Sequence, residues 1–214
     1  MIHPFGDYAY VVEVEGPESA QAIAMRVRQN PVHGATAITS GLRSVVIEID
    51  PQLVDRGELL RRLRSVLGEP ASAGSLTGRD RMVPVAFGGD DGPDLSAVAA
   101  LSGLTERDVI ARLTMTSFRA LFLGFAPGFA YLGWLPEELT VPRLGTPRIN
   151  TPRGSVAIAG GMVGIYPADL PGGWRVVGRT TLELFNPDRD PPAHILPGDR
   201  VRFVAHADTL PIRS

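Results

Sequence analysis

The sequence predicts an α+β chain with a ferredoxin-like α/β domain over residues 1–80 followed by a β-barrel domain over residues 81–214. Three observations carry this reading. Gly and Pro are sparse up to residue 83 and dense between Gly124 and Gly198, so the two parts are built differently. The first part alternates strand-like and helix-like hydrophobic periodicity, whereas the second breaks into short apolar pieces separated by Gly and Pro, as in a closed or nearly closed β structure. The 214 residues are 44% hydrophobic and 21% charged, which is enough apolar material for the cores of two small domains.

Tyr8 to Val14 is β-rich and reads as the first strand. Gly16-Pro17-Glu18 opens a helix in which Ala20, Ile23, Ala24 and Val27 recur at helical spacing and which must stop before Pro31. Ala35 to Thr39 and Ser44 to Ile49 are β-branched runs joined by Ser40-Gly41-Leu42-Arg43, a hairpin pattern. Leu59, Leu60, Leu63, Val66 and Leu67 form the apolar stripe of a second helix, which Gly68 and Pro70 end. Gly74 to Asp80 reads as a linker and Arg81 to Phe87 as a further strand, completing the β-α-β-β-α-β order of the split βαβ unit. Helices follow over Pro93 to Leu101 and Glu106 to Phe118, the second announced by the capping-box spacing of Thr105 and Asp108. Ser155 to Ala159, Trp174 to Val177, Thr181 to Phe185 and Val201 to Val204 are the strand candidates of the barrel.

Composition excludes several functions. The 21 basic and 23 acidic residues give a net charge of −2 with no concentrated basic face, which argues against nucleic acid. No apolar run reaches the roughly 20 residues of a membrane span, and the N-terminus lacks the pattern of a secretory leader, so a cytoplasmic protein is expected. There is no cysteine, hence no disulfide, thiolate nucleophile or Cys-ligated metal. All 21 basic residues are Arg; without lysine the chain has no P-loop, no Schiff base and no residue to carry covalent biotin.

The chemistry-bearing residues are few. His3, His33, His194 and His206 have no metal-ligand spacing, and no metal site is expected. Within Gly88-Gly89-Asp90-Asp91-Gly92-Pro93-Asp94, the acidic residues suit helix capping better than cation binding, because no bidentate Glu follows. No serine sits in a G-x-S-x-G elbow; Ser155 alone has a Gly-rich context, and a strand-start hydroxyl bonding the backbone explains it better than a nucleophile. The densest feature is the Gly, Arg and aromatic content from Gly124 to Thr181. Glycines there let a ligand approach, arginines offer a forked donor to carboxylate or phosphate, and aromatics stack. Barrel corners with exposed arginines account for the same composition equally well.

These residues resemble the family that contains the B subunit of bacterial 5-oxoprolinase, subunit one of allophanate hydrolase and the sporulation kinase inhibitor. The resemblance begins at Pro4-Phe5-Gly6-Asp7, continues through Pro84-Val85 and Gly92-Pro93-Asp94-Leu95, and is strongest in Gly124-Phe125-Ala126-Pro127-Gly128-Phe129-Ala130-Tyr131-Leu132. It extends through Pro152-Arg153-Gly154-Ser155 to Gly160-Gly161, Gly164-Ile165-Tyr166-Pro167, Pro171-Gly172-Gly173-Trp174 and Pro197-Gly198-Asp199. It implies that the barrel is cyclophilin-like. It further implies a homologous partner subunit and an ATP-dependent opening of 5-oxoproline to glutamate, or an allophanate hydrolase-type amidohydrolase reaction on a ureido C–N bond. ATP would be bound by the complex or by this chain. The family also implies two alternatives, the carboxyltransferase part of a urea carboxylase and a protein inhibitor of a histidine kinase.

The expected reading is therefore a hydrolase subunit, inactive without its partner, that binds a small carboxylated or ureido substrate. Arg148, Arg153 and Arg179 are candidates to anchor an anion, the amides of Gly160 and Gly161 to hold an oxyanion or phosphate, and Tyr166 and Trp174 to form walls, with Ser155 and Thr180 beside them. Arg153 and Arg179 are expected at one pocket mouth, because both flank Gly-rich turns. No general base can be named. Relative to the family pattern, Leu113 replaces a usual His and Met162-Val163 a usual Gln-Thr, so three polar groups have become apolar.

Overall fold

The structure, a computed structural model, describes residues 1–68 and 78–206, and the chain divides into two compact units, Met1–Thr77 and Gly78–Ser214. No described helix is long and apolar enough to cross a membrane.

In the first unit the elements run β1 (Ile2–Phe5), β2 (Ala9–Glu13), α1 (Pro17–Gln29), β3 (Ala35–Ser40), β4 (Ser44–Ile49) and α2 (Arg56–Gly68). The strands form one antiparallel sheet in the order β1-β2-β4-β3, with Tyr10, Val12, Val45, Ile47 and Ile49 packed against Ala20, Ile23, Ala24 and Val27 of α1 and Leu59 and Leu63 of α2. Both helices, the hairpin and the stop before Pro31 follow the sequence pattern. The ferredoxin-like order does not. Ile2–Phe5 folds back as a hairpin on β2 through Gly6 at φ +61, occupying the sheet edge that Arg81 to Phe87 was expected to fill. A hairpin between neighbouring segments closes a far shorter loop than a return after α2, and Pro4 is tolerated on an edge strand. Residues 74–77 of the expected linker, and Pro70, lie outside the described residues.

Arg81 to Phe87 belongs instead to the second unit, as β5 (Asp80–Phe87). There follow α3 (Leu95–Ser102), α4 (Glu106–Met115), β6 (Phe118–Leu123), β7 (Ala130–Gly133), β8 (Arg148–Thr151), β9 (Ser155–Ala159), β10 (Met162–Ile165), β11 (Leu170–Gly172), β12 (Arg175–Arg179) and β13 (Arg200–Ala205). Seven of these strands close a barrel in the order β10-β7-β6-β13-β5-β12-β9, and β8 pairs with β11 in a separate two-stranded sheet. β5 lies between antiparallel β12 and parallel β13. Val83, Val85, Phe118, Leu132, Val156, Ile158, Val163 and Phe203 fill the interior together with Leu95 and Val98 of α3 and Val109 and Leu113 of α4.

The capping box on α4 is present: Thr105 Oγ1 accepts from the Asp108 amide at 3.1 Å, and the Asp108 carboxylate accepts from the Thr105 amide at 3.2 Å. Two expected spans change. The helix predicted to reach Phe118 ends at Met115, and Phe118 opens β6 inside the barrel. Thr181 to Phe185 makes only the single bridge Phe185 to Ala193, so its β-branched and apolar composition does not produce a ladder.

Candidate functional site

The site lies on the outer wall of the barrel. Side chains alternate along a strand, so β9 sends Val156 and Ile158 into the barrel and Ala157 and Ala159 outward. The same alternation sends Val163 and Ile165 of β10 inward and leaves Gly164 on the outer side, where Phe129, Tyr166, Trp174 and Val176 collect as a second, smaller core. Small residues there form a floor on which rings can lie. A Cβ on Gly164 would come within 2.6 Å of Phe129 Cζ and 3.2 Å of Trp174 Cζ3. Gly164→Ala is therefore expected to lower stability by about 1–3 kcal/mol, the usual cost of forced overpacking. Thermal melting checks this, and an unchanged midpoint would mean the rings have room to move.

The rings enclose an open cleft of about 220 Å³. Phe129 is its centre, packed edge-on against Tyr166 at 5.2 Å and Trp174 at 5.9 Å and tilted against Tyr131 at 4.9 Å between centroids. Phe125 adds an edge-on contact to Phe129 at 5.3 Å, and Pro147, Pro171, Gly172 and Gly173 complete the wall near β8 and β11. Among the described residues Arg143 is the single cation on the lining, its guanidinium 6.0 Å from the centre of the Trp174 ring. At this distance the guanidinium is attracted by the indole face while keeping donors for a ligand.

Burial pushes both the Tyr131 and the Tyr166 hydroxyls above the ordinary tyrosine range, with Arg143 opposing this at both and Thr151 also opposing it at Tyr166. Both phenols are therefore protonated at neutral pH and act as hydrogen-bond donors, not as bases. Among the described residues the cleft contains no carboxylate, no histidine and no serine, and no group of residues suited to hold a metal ion occurs. Its chemistry is that of an apolar slot with three donors, suited to a small, flat, anionic or carbonyl-bearing ligand.

Asp94 fixes this wall from behind. Sequence places it as a capping residue at the start of α3, but its side chain makes no cap. One oxygen accepts from Arg148 Nη2 at 2.7 Å and the other from the Val176 amide at 2.7 Å, while Arg148 Nη1 reaches the Trp174 carbonyl at 3.5 Å. This carboxylate ties α3, β8 and β12 together next to Trp174, which the sequence did not reveal because its partners are 54 and 82 residues away.

Of the residues singled out in the sequence, Tyr166 and Trp174 line the cleft. Arg148 stands behind it, paired with Asp94. Arg153 is exposed in the turn before β9, where its amide donates to Asp169 Oδ1 at 2.7 Å. Arg179 lies across from Ser155 in the β9–β12 ladder with its guanidinium 3.5 Å from Asp91, so the two arginines share one end of β9 but neither lines the cleft. Ser155 is fully buried and its hydroxyl has no partner among the described residues, so it makes none of the backbone bonds expected of it, and Thr180 is buried with its Oγ1 accepting from the Leu182 amide. Gly160 and Gly161, at φ +56 and +83, form the β9–β10 turn at the opposite end of β9. Leu113 and Val163 are barrel core, and Met162 packs against the outer aromatic cluster, so the departures at Leu113 and Val163 remove no group from the cleft. Phe125, Phe129, Tyr131 and Arg143 were missed as site residues, although the spacing of aromatics among the glycines of residues 124–131 was visible in the sequence.

A family model described as the carboxyltransferase domain, subdomain C and D, matches residues 1–195. The chain belongs to this family. The B subunit of 5-oxoprolinase from Escherichia coli O157:H7 is 40% identical to this carboxyltransferase-family chain over 208 residues, covering 93% of each. Among solved structures, that of TTHA0988 is similar with a TM-score of 0.81 and 32% identity; the match covers 99% of this chain and 41% of that one, so the chain spans less than half of that relative. The urea amidolyase of Lachancea kluyveri is 28% identical over 240 residues, covering 92% of this chain and 13% of that protein. The family predicted from residues 124–132 and the later motifs is thus the family found, and its relatives carry the name of the 5-oxoprolinase B subunit.

Proposed function

We propose that this chain is the B-type subunit of a two-component, ATP-dependent 5-oxoprolinase, and that its outer cleft binds the lactam acid while a second subunit completes the active site. The observation that supports this most directly is the lining itself. Arg143 suits the carboxylate, the Tyr131 and Tyr166 hydroxyls suit the lactam carbonyl, and the rings suit the flat five-membered body. Opening an amide with water needs a base or an activated nucleophile, and the cleft carries neither. A triphosphate does not fit it: one arginine is the only cation among the described lining residues, the volume of about 220 Å³ is below that of an ordinary ligand site, and the chain has no lysine to reach a phosphate. We therefore assign ATP to the partner or to the assembled complex.

The likeness to a urea amidolyase favours a second reading, in which the same donors bind a ureido group. The test is glutamate formation from 5-oxoproline and ATP by the purified chain, by its co-expressed partner, and by the two combined. Activity only in the combination is expected. Turnover by this chain alone would overturn the proposal, and a combination that consumes a ureido substrate but not 5-oxoproline would select the second reading.

A further inference from the structure

Phe125 is unlike the other rings of the cleft. It has a positive φ of +69, the one described non-glycine residue that does, and the Ala126 amide donates back to the Gly124 carbonyl at 2.8 Å. That is a γ-turn of the positive-φ kind, which is rare and strained for a residue with a side chain. Glycine would take the same conformation without strain, and glycines stand immediately before it and three residues later. The loop around it is closed by its own backbone, with Gly124 and Phe129 bonded at 3.2 Å and the Phe129 amide donating to Ala126 at 3.0 Å. The strain is thus held by a braced loop, the setting in which a strained residue has a use in binding.

Phe125 is 57% exposed, whereas Phe129 and Tyr166, which its ring touches edge-on, are each 2% exposed. Its aromatic contacts stabilise little of the core, so the ring is not retained for packing. Arg143 lies 6.0 Å from the Trp174 ring, Trp174 packs on Phe129, and Phe129 packs on Phe125, so Trp174 and Phe129 link the cation to Phe125 along this course of the aromatic wall. A ligand whose anion sits on Arg143 and whose body follows Trp174 and Phe129 reaches Phe125 next.

We propose that Phe125 is the specificity-determining residue of the cleft, a fixed end-stop that limits the bound lactam acid to a five-membered ring. This rests on the reading of the cleft as the lactam-acid site. Calorimetric titration of the chain with its co-expressed partner, using 5-oxoproline and its six-membered lactam homologue as probes, tests it. The unmodified protein is expected to favour the smaller ring by about tenfold, the discrimination that one extra methylene allows against a rigid wall. In Phe125→Gly the preference should disappear through weaker binding of the small ring and better binding of the large one, with a melting temperature equal to or above that of the parent. Phe125→Leu should give an intermediate ratio, and it serves alone if the glycine variant fails to fold. Parent binding with the same ring preference in the variants would overturn the end-stop and leave the cleft reading intact. A parent that binds neither probe would overturn the cleft reading, and the end-stop with it. Equal weakening of both probes with a lowered melting temperature would make Phe125 structural and would also overturn the inference.

Discussion

Asp94→Ala is expected to destabilise the protein by about 2–3 kcal/mol, at or below the low end of the about 3–5 kcal/mol that breaking a fully buried ion pair costs, because Arg148 keeps part of its guanidinium in water. The carboxylate takes two bonds of 2.7 Å, and its side chain is 11% exposed against 29% for Arg148. Its removal strands the Arg148 charge and leaves the Val176 amide without its acceptor. Asp94→Asn, which keeps an acceptor but loses the charge, should cost less. Denaturant unfolding measures both, and a loss below about 0.5 kcal/mol for the alanine variant, the level of an ordinary surface change, would show that the pair contributes nothing. Since Arg148 also reaches the Trp174 carbonyl, the asparagine variant should weaken ligand binding even where it remains folded.

Arg143→Gln should leave the melting temperature unchanged and weaken 5-oxoproline binding about tenfold to a hundredfold. A hydrogen bond to a charged group is worth about 1.5–3 kcal/mol, and each 1.4 kcal/mol is a factor of ten. The residue is exposed and contributes little to the core, which separates binding from folding. Arg143→Lys keeps the charge but not the planar fork, so it should fall between the parent and Arg143→Gln. Arg153→Ala and Arg179→Ala form the matched comparison at the other end of the ladder. If either weakens binding as much as Arg143→Gln does, while Arg143→Gln is silent, the anion site moves to that end.

Local pattern carried much of the fold. The apolar stripe of Ala20, Ile23, Ala24 and Val27 identified α1 because one helix face is buried and the other is not. The Thr105 and Asp108 spacing located the start of α4 because a capping box is a contact within one turn. What local pattern could not supply was the destination of a strand. Arg81 to Phe87 reads the same whether it completes an α/β sheet or joins a barrel, and the choice is made by Ile2–Phe5 taking the open edge of β2 and by β13 arriving beside β5 from more than 100 residues away. Strands β6, β7 and β10 were overlooked because glycines and aromatics dominate them or their borders, and these residues read as turn chemistry. Glycine has another role at Gly164, where the missing Cβ is the space in which Phe129 and Trp174 lie.

The site was legible to the same extent. Sequence singled out Arg and Gly for their chemistry, yet Arg148 is consumed by Asp94 and Gly160-Gly161 makes a hairpin turn. Tyr166 and Trp174, expected as walls, do line the cleft, since a large ring among glycines has few other places to pack. Arg143 gave no such signal, being one of several Pro-Arg pairs, and only the course of the loop between β7 and β8 sets it over Trp174.

The most direct test of the cleft as the binding site is the emission of Trp174, which lines it, followed during titration with 5-oxoproline in a Trp134→Phe background, since Trp134 is exposed and outside the lining. A saturable change that Arg143→Gln shifts to about tenfold or more higher ligand concentration is the predicted result. Emission that stays flat in the chain and in its complex with the partner, or a saturable change that Arg143→Gln leaves untouched, would contradict it.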